Sequence, residues 1–344
     1  MDFTTGGRLE VTITASDVGK RVSVRRWRDA GDGTERFTDT VGVLTSWADG
    51  VLQITRRSGE TVRIPESALV AGKIVPVAPA RRRGPAASAA ELDRVAARAW
   101  PPLESAPLGD WLLRAAAGFT RRANSALALG DPGLPLDAAL ERVTAWYAER
   151  GLPAYVQLST GAEGTQERLA AELERRGWVR EVSVEIRIAP LAPIADLAAD
   201  VEGVTVSRRP DDQWFARYQR SSRRPGSEAR AVVGAGPSVW FATVPGGEGE
   251  PPAAIGRCAV DGRWAGFTAV EVDPARRRQG LASAVMAALA RHALEEGASA
   301  AYLQVETDND GARALYDGMG FTTHHHYHHW RAPERGETHG RTGQ

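Results

Sequence analysis

Apolar positions along the chain change period several times, and each change marks an element. From about Leu9 to Val77 the period is close to two: "RVSVRRW", "TDTVGVLTSW", "VLQITRR", "TVRIP" and "KIVPV" are separated by the turns "ADG" and "SGE". Five short strands in this length predict a small SH3-like β-barrel over residues 1–78. "PARRRGPAASAA" follows, aperiodic and rich in Pro, Ala and Arg, and predicts a linker over 79–90. At its end Ser88 and Glu91 have the S-x-x-E spacing of a capping box in front of the helix "LDRVAARAW".

The period then alternates between two and 3.6. "DWLLRAA" and "FTRRANSALAL" read as strands, and "LPLDAALERVTAWYAERG" as a helix with Leu136, Leu140, Val143 and Tyr147 on one stripe and Gly151 past its end. Strand "AYVQLS", helix "TQERLAAELERRG" and strand "WVREVSVEIRIAP" complete an α/β unit over 91–190, and "PLAPIADLAADVEG" reads as a second linker, 191–203. From Val204 the order is strand "VTVSRRP", helix "DDQWFARYQRSS", a Pro/Gly-rich connection, and strands "SVWFATV", "PAAIGRCAV" and "WAGFTAVEV". Asp261-Gly262 makes a hairpin of the last two. Helix "LASAVMAALARHALEEG", strand "AAYLQVETD", helix "DGARALYDGMG" and strand "FTTHHHYHHW" close the unit 204–333, and the polar stretch 334–344 reads as a disordered tail. The fold class is α/β (α+β) with a β-barrel in front.

Composition narrows the function classes. Basic and acidic residues both number 43 in the 344-residue chain, so no global field recruits nucleic acid or an acidic membrane. Lys20 and Lys73 are the only lysines, and the Arg and Ala excess reads as coding bias. Cys258 is the only cysteine, which excludes an intrachain disulfide. With no signal-like start and no apolar run of about 18 residues, the expectation is a soluble cytoplasmic protein with no membrane partner.

The chemistry concentrates in "VEVDPARRRQGLASAVMAALA". A strand ends at Val272, Pro274 breaks it, and a loop of three arginines leads through Gly280 into a helix with an apolar stripe of Leu281, Val285 and Leu289. Helix N-termini hold unpaired N–H groups and about half a positive charge, and glycine lets an anion reach the backbone. Three adjacent arginines are ordinarily a solvated face; here, before a helix N-terminus, they suit a pyrophosphate. A Walker A loop is absent and the three glycines of a Rossmann fingerprint do not occur. The R-x-x-G-x-A pattern of Arg277, Gly280 and Ala282 resembles the acetyl-CoA loop of the GNAT N-acetyltransferases. Downstream, "NDGARALYDGMGF" resembles that family's second segment, with Asn309, Ala312, Leu315, Tyr316, Gly320 and Phe321 in register. The resemblance covers about residues 204–331.

It implies a GNAT fold for 204–333, acetyl-CoA as co-substrate, no metal, and direct acetyl transfer to an amine. Arg277, Arg278, Gln279, Gly280, Leu281, Ala282 and Ser283 would hold the pyrophosphate; Asn309 and Ala312 would contact CoA. Val270 and Val272, at a splayed strand end, would pair with pantetheine amides. Tyr316 would be the general acid, since a phenol of ordinary pKa about 10 is protonated at neutral pH. For the base, Glu271 is the candidate: a carboxylate on the same strand, pointing opposite to Val270 and Val272. Some relatives carry Glu where this chain has Gln304, which leaves the base open.

Laying "VQLSTGAEGTQERLAAELERRGW" against "LQVETDNDGARALYDGMGF" matches Gly177-Trp178 with Gly320-Phe321 and puts Leu173 at the place of Tyr316. Residues 91–190 are thus read as a degenerate GNAT-like half, silent in acetyl transfer, and the chain resembles a tandem-GNAT group with an SH3-like N-terminal module. The acceptor amine is open, its specificity expected in "SSRRPGSEARAVVGAG" and the middle half. A CoA-sensing module without turnover is the alternative, and nucleic-acid binding is disfavoured. Five of seven histidines fall at 324–329. On a strand His324, His326, His328 and Trp330 would face one way and His325, Tyr327 and His329 the other, a structural or acceptor-lining strand.

Overall fold

A computed structural model describes residues 11–27, 37–75, 85–218 and 226–333. Residues 79–84 of the expected linker 79–90 and all of the tail 334–344 lie outside the described residues. Five strands form the N-terminal sheet: β1 (Arg21–Trp27), β2 (Phe37–Ala48), β3 (Val51–Thr55), β4 (Thr61–Pro65) and β5 (Leu69–Ile74). They pair antiparallel in the order β4-β3-β2-β1-β5. Every second residue points inward, so Val22, Val24, Leu44, Leu52, Ile54 and Ile64 are fully buried in one small core. The last strand begins at Leu69, ahead of the "KIVPV" run.

Next come α1 (Ala89–Ala99), β6 (Glu104–Leu108), β7 (Trp111–Ala115), β8 (Ala126–Ala128), α2 (Leu136–Ala148), β9 (Tyr155–Thr160), α3 (Glu167–Arg175) and β10 (Val179–Pro190). Ser88 caps α1 as expected, its Oγ accepting from the Glu91 N–H at 3.1 Å. Glu91 does not close the capping box. Its carboxylate instead accepts from Trp264 Nε1 and Arg263, both at 3.0 Å, and these bonds hold its pKa below the usual carboxylate value. α1 is thereby fastened to a hairpin far along the chain.

The remaining elements are α4 (Ala192–Ala195), β11 (Thr205–Ser207), α5 (Asp212–Arg217), α6 (Ser227–Gly234), β12 (Ser238–Val244), β13 (Ala254–Asp261), β14 (Trp264–Val272), α7 (Leu281–Glu295), β15 (Ala300–Glu306), α8 (Asp310–Gly318) and β16 (Thr322–Arg331). Two stretches read as connections carry helices. The segment 191–203 contains α4, with Leu191, Ile194 and Ala195 buried against α7; the Pro/Gly-rich connection contains α6. α7 is buried on all sides from Ala284 to Ala290 because the sheet lies under it and α4 over it.

All strands from β6 onward form one sheet, in the order β11-β12-β13-β14-β15-β10-β16-β9-β8-β7-β6. Apart from the short edge strand β11, which pairs antiparallel with β12, the two ends give the same series inward: two antiparallel pairings, then a parallel one, β14 with β15 at one end and β8 with β9 at the other. α7 and α2 cross over those parallel pairs, and α8 and α3 follow them. The closing strands are exchanged: β10 lies on β15, β16 lies on β9, and the two pair antiparallel in the centre. The helix ends agree residue for residue. Phe321 N–H donates to the Tyr316 carbonyl at 3.0 Å and Trp178 N–H to the Leu173 carbonyl at 3.0 Å, after left-handed Gly320 and Gly177.

Candidate active site

β14 and β15 pair only from Trp264 with Ala300 to Phe267 with Leu303. Beyond that, a bulge sets Ala269 and Val270 against Gly256 of β13, with Ala269 in the left-handed region at φ 52°. The bulge bends β14 away from its parallel neighbour. A cavity of about 1170 Å³ fills the gap, bordered by Thr268 to Val272 of β14 and Gln304 to Glu306 of β15.

On one side of the sheet the cavity reaches the start of α7. Gly280 adopts φ 78° and ψ 0°, Arg278 has φ 63°, and the first bond of the helix runs from Ala284 N–H to the Gly280 carbonyl at 3.0 Å. The N–H groups of Leu281, Ala282 and Ser283 therefore lack intrahelical acceptors and stand at the cavity rim with the Arg276, Arg277 and Arg278 side chains. This loop is held in shape from below. Asp273 accepts from Ala275 N–H at 2.8 Å and pairs with Arg217, which keep its carboxylate below the ordinary pKa. Gln279 departs from expectation: it does not border the cavity, and its Oε1 accepts from Arg276 Nε at 3.1 Å, bracing the loop.

α8 forms the opposite lip. Asn309 Oδ1 caps this helix through Ala312 N–H at 3.1 Å, so its first task is local; both residues border the cavity. Tyr316 reaches the same cavity, its ring edge-on to Phe321 at 5.8 Å, and burial pushes the phenol up to about 12. Leu173, its counterpart in the middle half, is fully buried. The structure thus gathers Tyr316, Glu271, Val270, Val272, Arg277, Arg278, Gly280 to Ser283, Asn309 and Ala312 around one space, and leaves Gln279 behind it.

Val270 and Val272 pack toward α7, and Glu271, between them and opposite Ile255, points to the other face. There the wall was not legible in the sequence. "FTRRANSALAL" is not a continuous strand: Ala117 and Thr120 have positive φ, and Asn124 holds the turn. Its Oδ1 accepts from Ala116 and Gly118 N–H at 2.8 and 3.0 Å while its Nδ2 donates to the carbonyls of Phe119 and Thr120 at 2.9 and 2.8 Å. The turn delivers Arg121 and Arg122 to the cavity. Arg122 lies 4.8 Å over the Trp100 ring and donates to Gln304 Oε1 at 2.7 Å, which also accepts from Tyr327 Oη at 3.0 Å. Gln304 therefore answers a neighbour from the middle half. Gly118 and Asn124, turn residues inside an apolar run, were the available signal. Of the segment 221–236, expected to set acceptor specificity, residues 221–225 lie outside the described residues and 226–236 do not border the cavity, whereas Tyr218 before it does.

The histidine strand carries a correction. His324 occupies a bulge, since Ile186 pairs with His325 and Arg187 with Thr323. It therefore joins His325, Nδ1 to Nδ1 at 2.8 Å, rather than His326 and His328, with its Nε2 on the Ala87 carbonyl at 3.0 Å. Buried His325 faces buried Asp93 at 3.2 Å. His328 is sandwiched between Ser183 Oγ (2.8 Å) and Thr160 Oγ1 (2.9 Å). Because Thr160 donates onward to the Arg57 carbonyl of the barrel at 3.0 Å, it must accept from His328 Nε2–H, and Ser183 then donates to Nδ1. Besides pairing with β10 and β9, the strand holds α1 through His324 and His325 and receives Arg57 of the barrel on the Thr323 and His324 carbonyls; among its residues His329 and Tyr327 border the cavity. Among the described residues no group of three or more His, Cys, Asp or Glu has the arrangement of a metal site.

Comparison with known proteins agrees with this geometry. Residues 86–330 match the family model described as "Probable histone acetyltransferase Rv0428c C-terminal", and residues 16–73 that described as "Rv0428c N-terminal Sm-like domain". The barrel is thus Sm-like, a small β-barrel similar to the SH3-like one expected. The "Probable histone acetyltransferase Rv0428c" of Mycobacterium tuberculosis is 29% identical over 320 residues, 90% of this chain and 93% of the relative. Among solved structures, a GCN5-related N-acetyltransferase from Kribbella flavida shares the fold with a TM-score of 0.53 at 17% identity, covering 71% of this chain and 95% of its own. A tandem GNAT protein from the clavulanic acid biosynthesis pathway does so at 0.52 and 14%, covering 74% and 91%. With its Sm-like barrel, paired GNAT-like halves and a cleft in the second of them, this chain belongs to the Rv0428c-like family of GNAT acetyltransferases.

Proposed function

We propose that the chain moves an acetyl group from acetyl-CoA to an amine within the cleft between β14 and β15. The observation carrying this reading is that one cavity joins the free N–H groups of α7, the bulged edge of β14, and Tyr316. The residues suit the cofactor. Unpaired helix amides and Arg277 and Arg278 match a pyrophosphate, and the edge of β14 that β15 leaves unpaired offers backbone groups to pantetheine amides. When bound, acetyl-CoA supplies the thioester. β14 N–H groups would then stabilise negative charge on its carbonyl oxygen.

Tyr316 serves the departing sulfur and Glu271 the attacking amine, from opposite faces. A phenol held near 12 stays protonated throughout neutral pH. It is a weaker acid than a thiol of about 8.5, so full transfer to a departing thiolate runs uphill. Tyr316 therefore acts by donating a hydrogen bond to the sulfur as it leaves. Glu271, on the face away from α7, receives the amine proton directly or through water.

Replacing Tyr316 by Phe tests this directly. Thiol release with an amine panel is expected to fall about 10²-fold or more in kcat, while calorimetric acetyl-CoA affinity changes little. Unchanged kcat would remove Tyr316 from the mechanism. Acetyl-CoA binding without thiol release on any amine would leave a binding module instead.

A further inference from the structure

The cavity has two ends, and only one is accounted for by the cofactor. Side chains alternate along β15: Leu303 and Val305 face the core under α7, whereas Tyr302, and by alternation Gln304 and Glu306, face the core that contains α1 and α5. On this second face the middle half supplies a wall, with Arg121 and Arg122 from the Asn124 turn and Val182 and Val184 from β10. His329 completes it from β16.

His329 is the unexplained member. It is 2% exposed, yet neither Nδ1 nor Nε2 has a hydrogen-bond partner. Leaving buried polar atoms unpaired is destabilising, because they lose their hydrogen bonds to water with nothing in exchange. Among the described residues its aromatic neighbours are Tyr327 at 5.5 Å and Tyr155 at 6.3 Å, both edge-on. Burial first, then the guanidinium groups of Arg114, Arg121 and Arg122, hold its pKa well below the ordinary value, so the ring is neutral and offers one N–H and one acceptor. Of these three cations Arg114 is committed to Ser125 and Gln157. Arg121 meets Glu181 at 3.3 Å, and Arg122 has one neutral oxygen, that of Gln304. The carboxylates of Glu271 and Glu306 stand at the opposite, β14–β15 side of the same chamber.

Resting on the acetyl-transfer reading, we propose that the acceptor is a small amine bearing an anionic group, carboxylate or phosphate. Arg122, Arg121 and the N–H of His329 hold the anion, and the amine lies toward Glu271. The chamber thereby selects by charge separation: cations at the middle-half wall, carboxylates at the β14 wall. A lysine within a basic peptide would bring further positive charge against Arg121 and Arg122. The degenerate half has a task in this arrangement, which is to read the substrate.

The test uses the full chain in two assays. Thiol release is measured with ω-amino carboxylates, aminoalkyl phosphates, the methyl amides of the former, and a lysine-bearing basic peptide; calorimetry with the CoA-loaded protein measures acceptor binding. The expected result is at least a tenfold preference in kcat/KM for one anionic class over the methyl amides and the peptide, and which class wins identifies the anion. Arg122→Gln should erase the preference through KM. Because Arg122 also packs on Trp100, His329→Leu provides the second arm: melting temperature unchanged or raised, acetyl-CoA affinity unchanged, acceptor Kd raised tenfold or more. Equal turnover of neutral or basic amines, or His329→Leu leaving acceptor Kd intact, overturns the anion chamber while acetyl transfer stands. Acetylation of no amine at all would overturn both.

Discussion

His328 shows how far a single side chain depends on its surroundings. An imidazole of ordinary pKa 6.5 is held at about 3 by burial, and His326 at about 4 for the same leading reason. The unfolded chain takes up a proton as pH falls through 6.5, but the native one does not until near 3. Stability is therefore complete above 6.5 and declines as pH falls from there toward 3. One such residue costs about 2 kcal/mol by pH 5. The melting temperature should accordingly drop between pH 7 and pH 5. In His328→Gln, which keeps a donor toward Thr160 but loses the Ser183 bond, the protein should be less stable at pH 7 and lose less on acidification. An unchanged slope would mean that the imidazole is not the titrating group. Nothing in the strand's local sequence tells His328, a fastener, from His329, which borders the cavity; the difference is which neighbours β9 and β10 supply.

At the level of elements, the loop from Asp273 to Gly280 was legible as a turn into a helix because its requirements are local: a strand end, a Pro, arginines, a left-handed Gly and a helix start lie in consecutive residues. A Cβ at Gly280 would meet no atom within 4 Å and so would project into the open cavity rim. Gly280→Ala therefore carries only the left-handed penalty, about 1–2 kcal/mol. Its larger effect falls on the backbone approach an anion needs. Calorimetry should show acetyl-CoA Kd raised about tenfold with a melting temperature only a few degrees lower; wild-type affinity would mean that phosphate does not approach this backbone. The Asn124 turn was not legible in the same way. It is built from hydrogen bonds that one side chain makes to four backbone groups, and a period-two pattern across "FTRRANSALAL" conceals it.

For the whole molecule the exchange of β10 and β16 is decisive. β10 covers β15 of the second half and β16 covers β9 of the first, so each half alone would expose the edges and apolar faces its partner now covers. A core of Leu92, Trp100, Trp214, Ile255 and Tyr302 likewise mixes α1 with the second half. Residues 85–333 should melt in one transition, and a fragment 191–333 expressed alone should aggregate or fail to bind acetyl-CoA. A monomeric fragment with wild-type affinity would show that the exchange is dispensable. The barrel is attached by fewer bonds: Arg57 Nη2 to the carbonyls of Thr323 and His324, and Arg180 to the Ser58 carbonyl, besides the Thr160 link. Hydrophobic period, turn residues and two spaced motifs sufficed for most of the element types, the three-part organisation as an expectation, and the loop and helix starts that border the cleft, because helix, strand and turn patterns are written in neighbouring residues. The strand exchange, the bulge at His324 and the charged wall of Arg121, Arg122 and His329 join positions more than a hundred residues apart. Such pairings depend on which surfaces meet once the chain has collapsed, and a linear pattern of apolar and polar residues does not specify that.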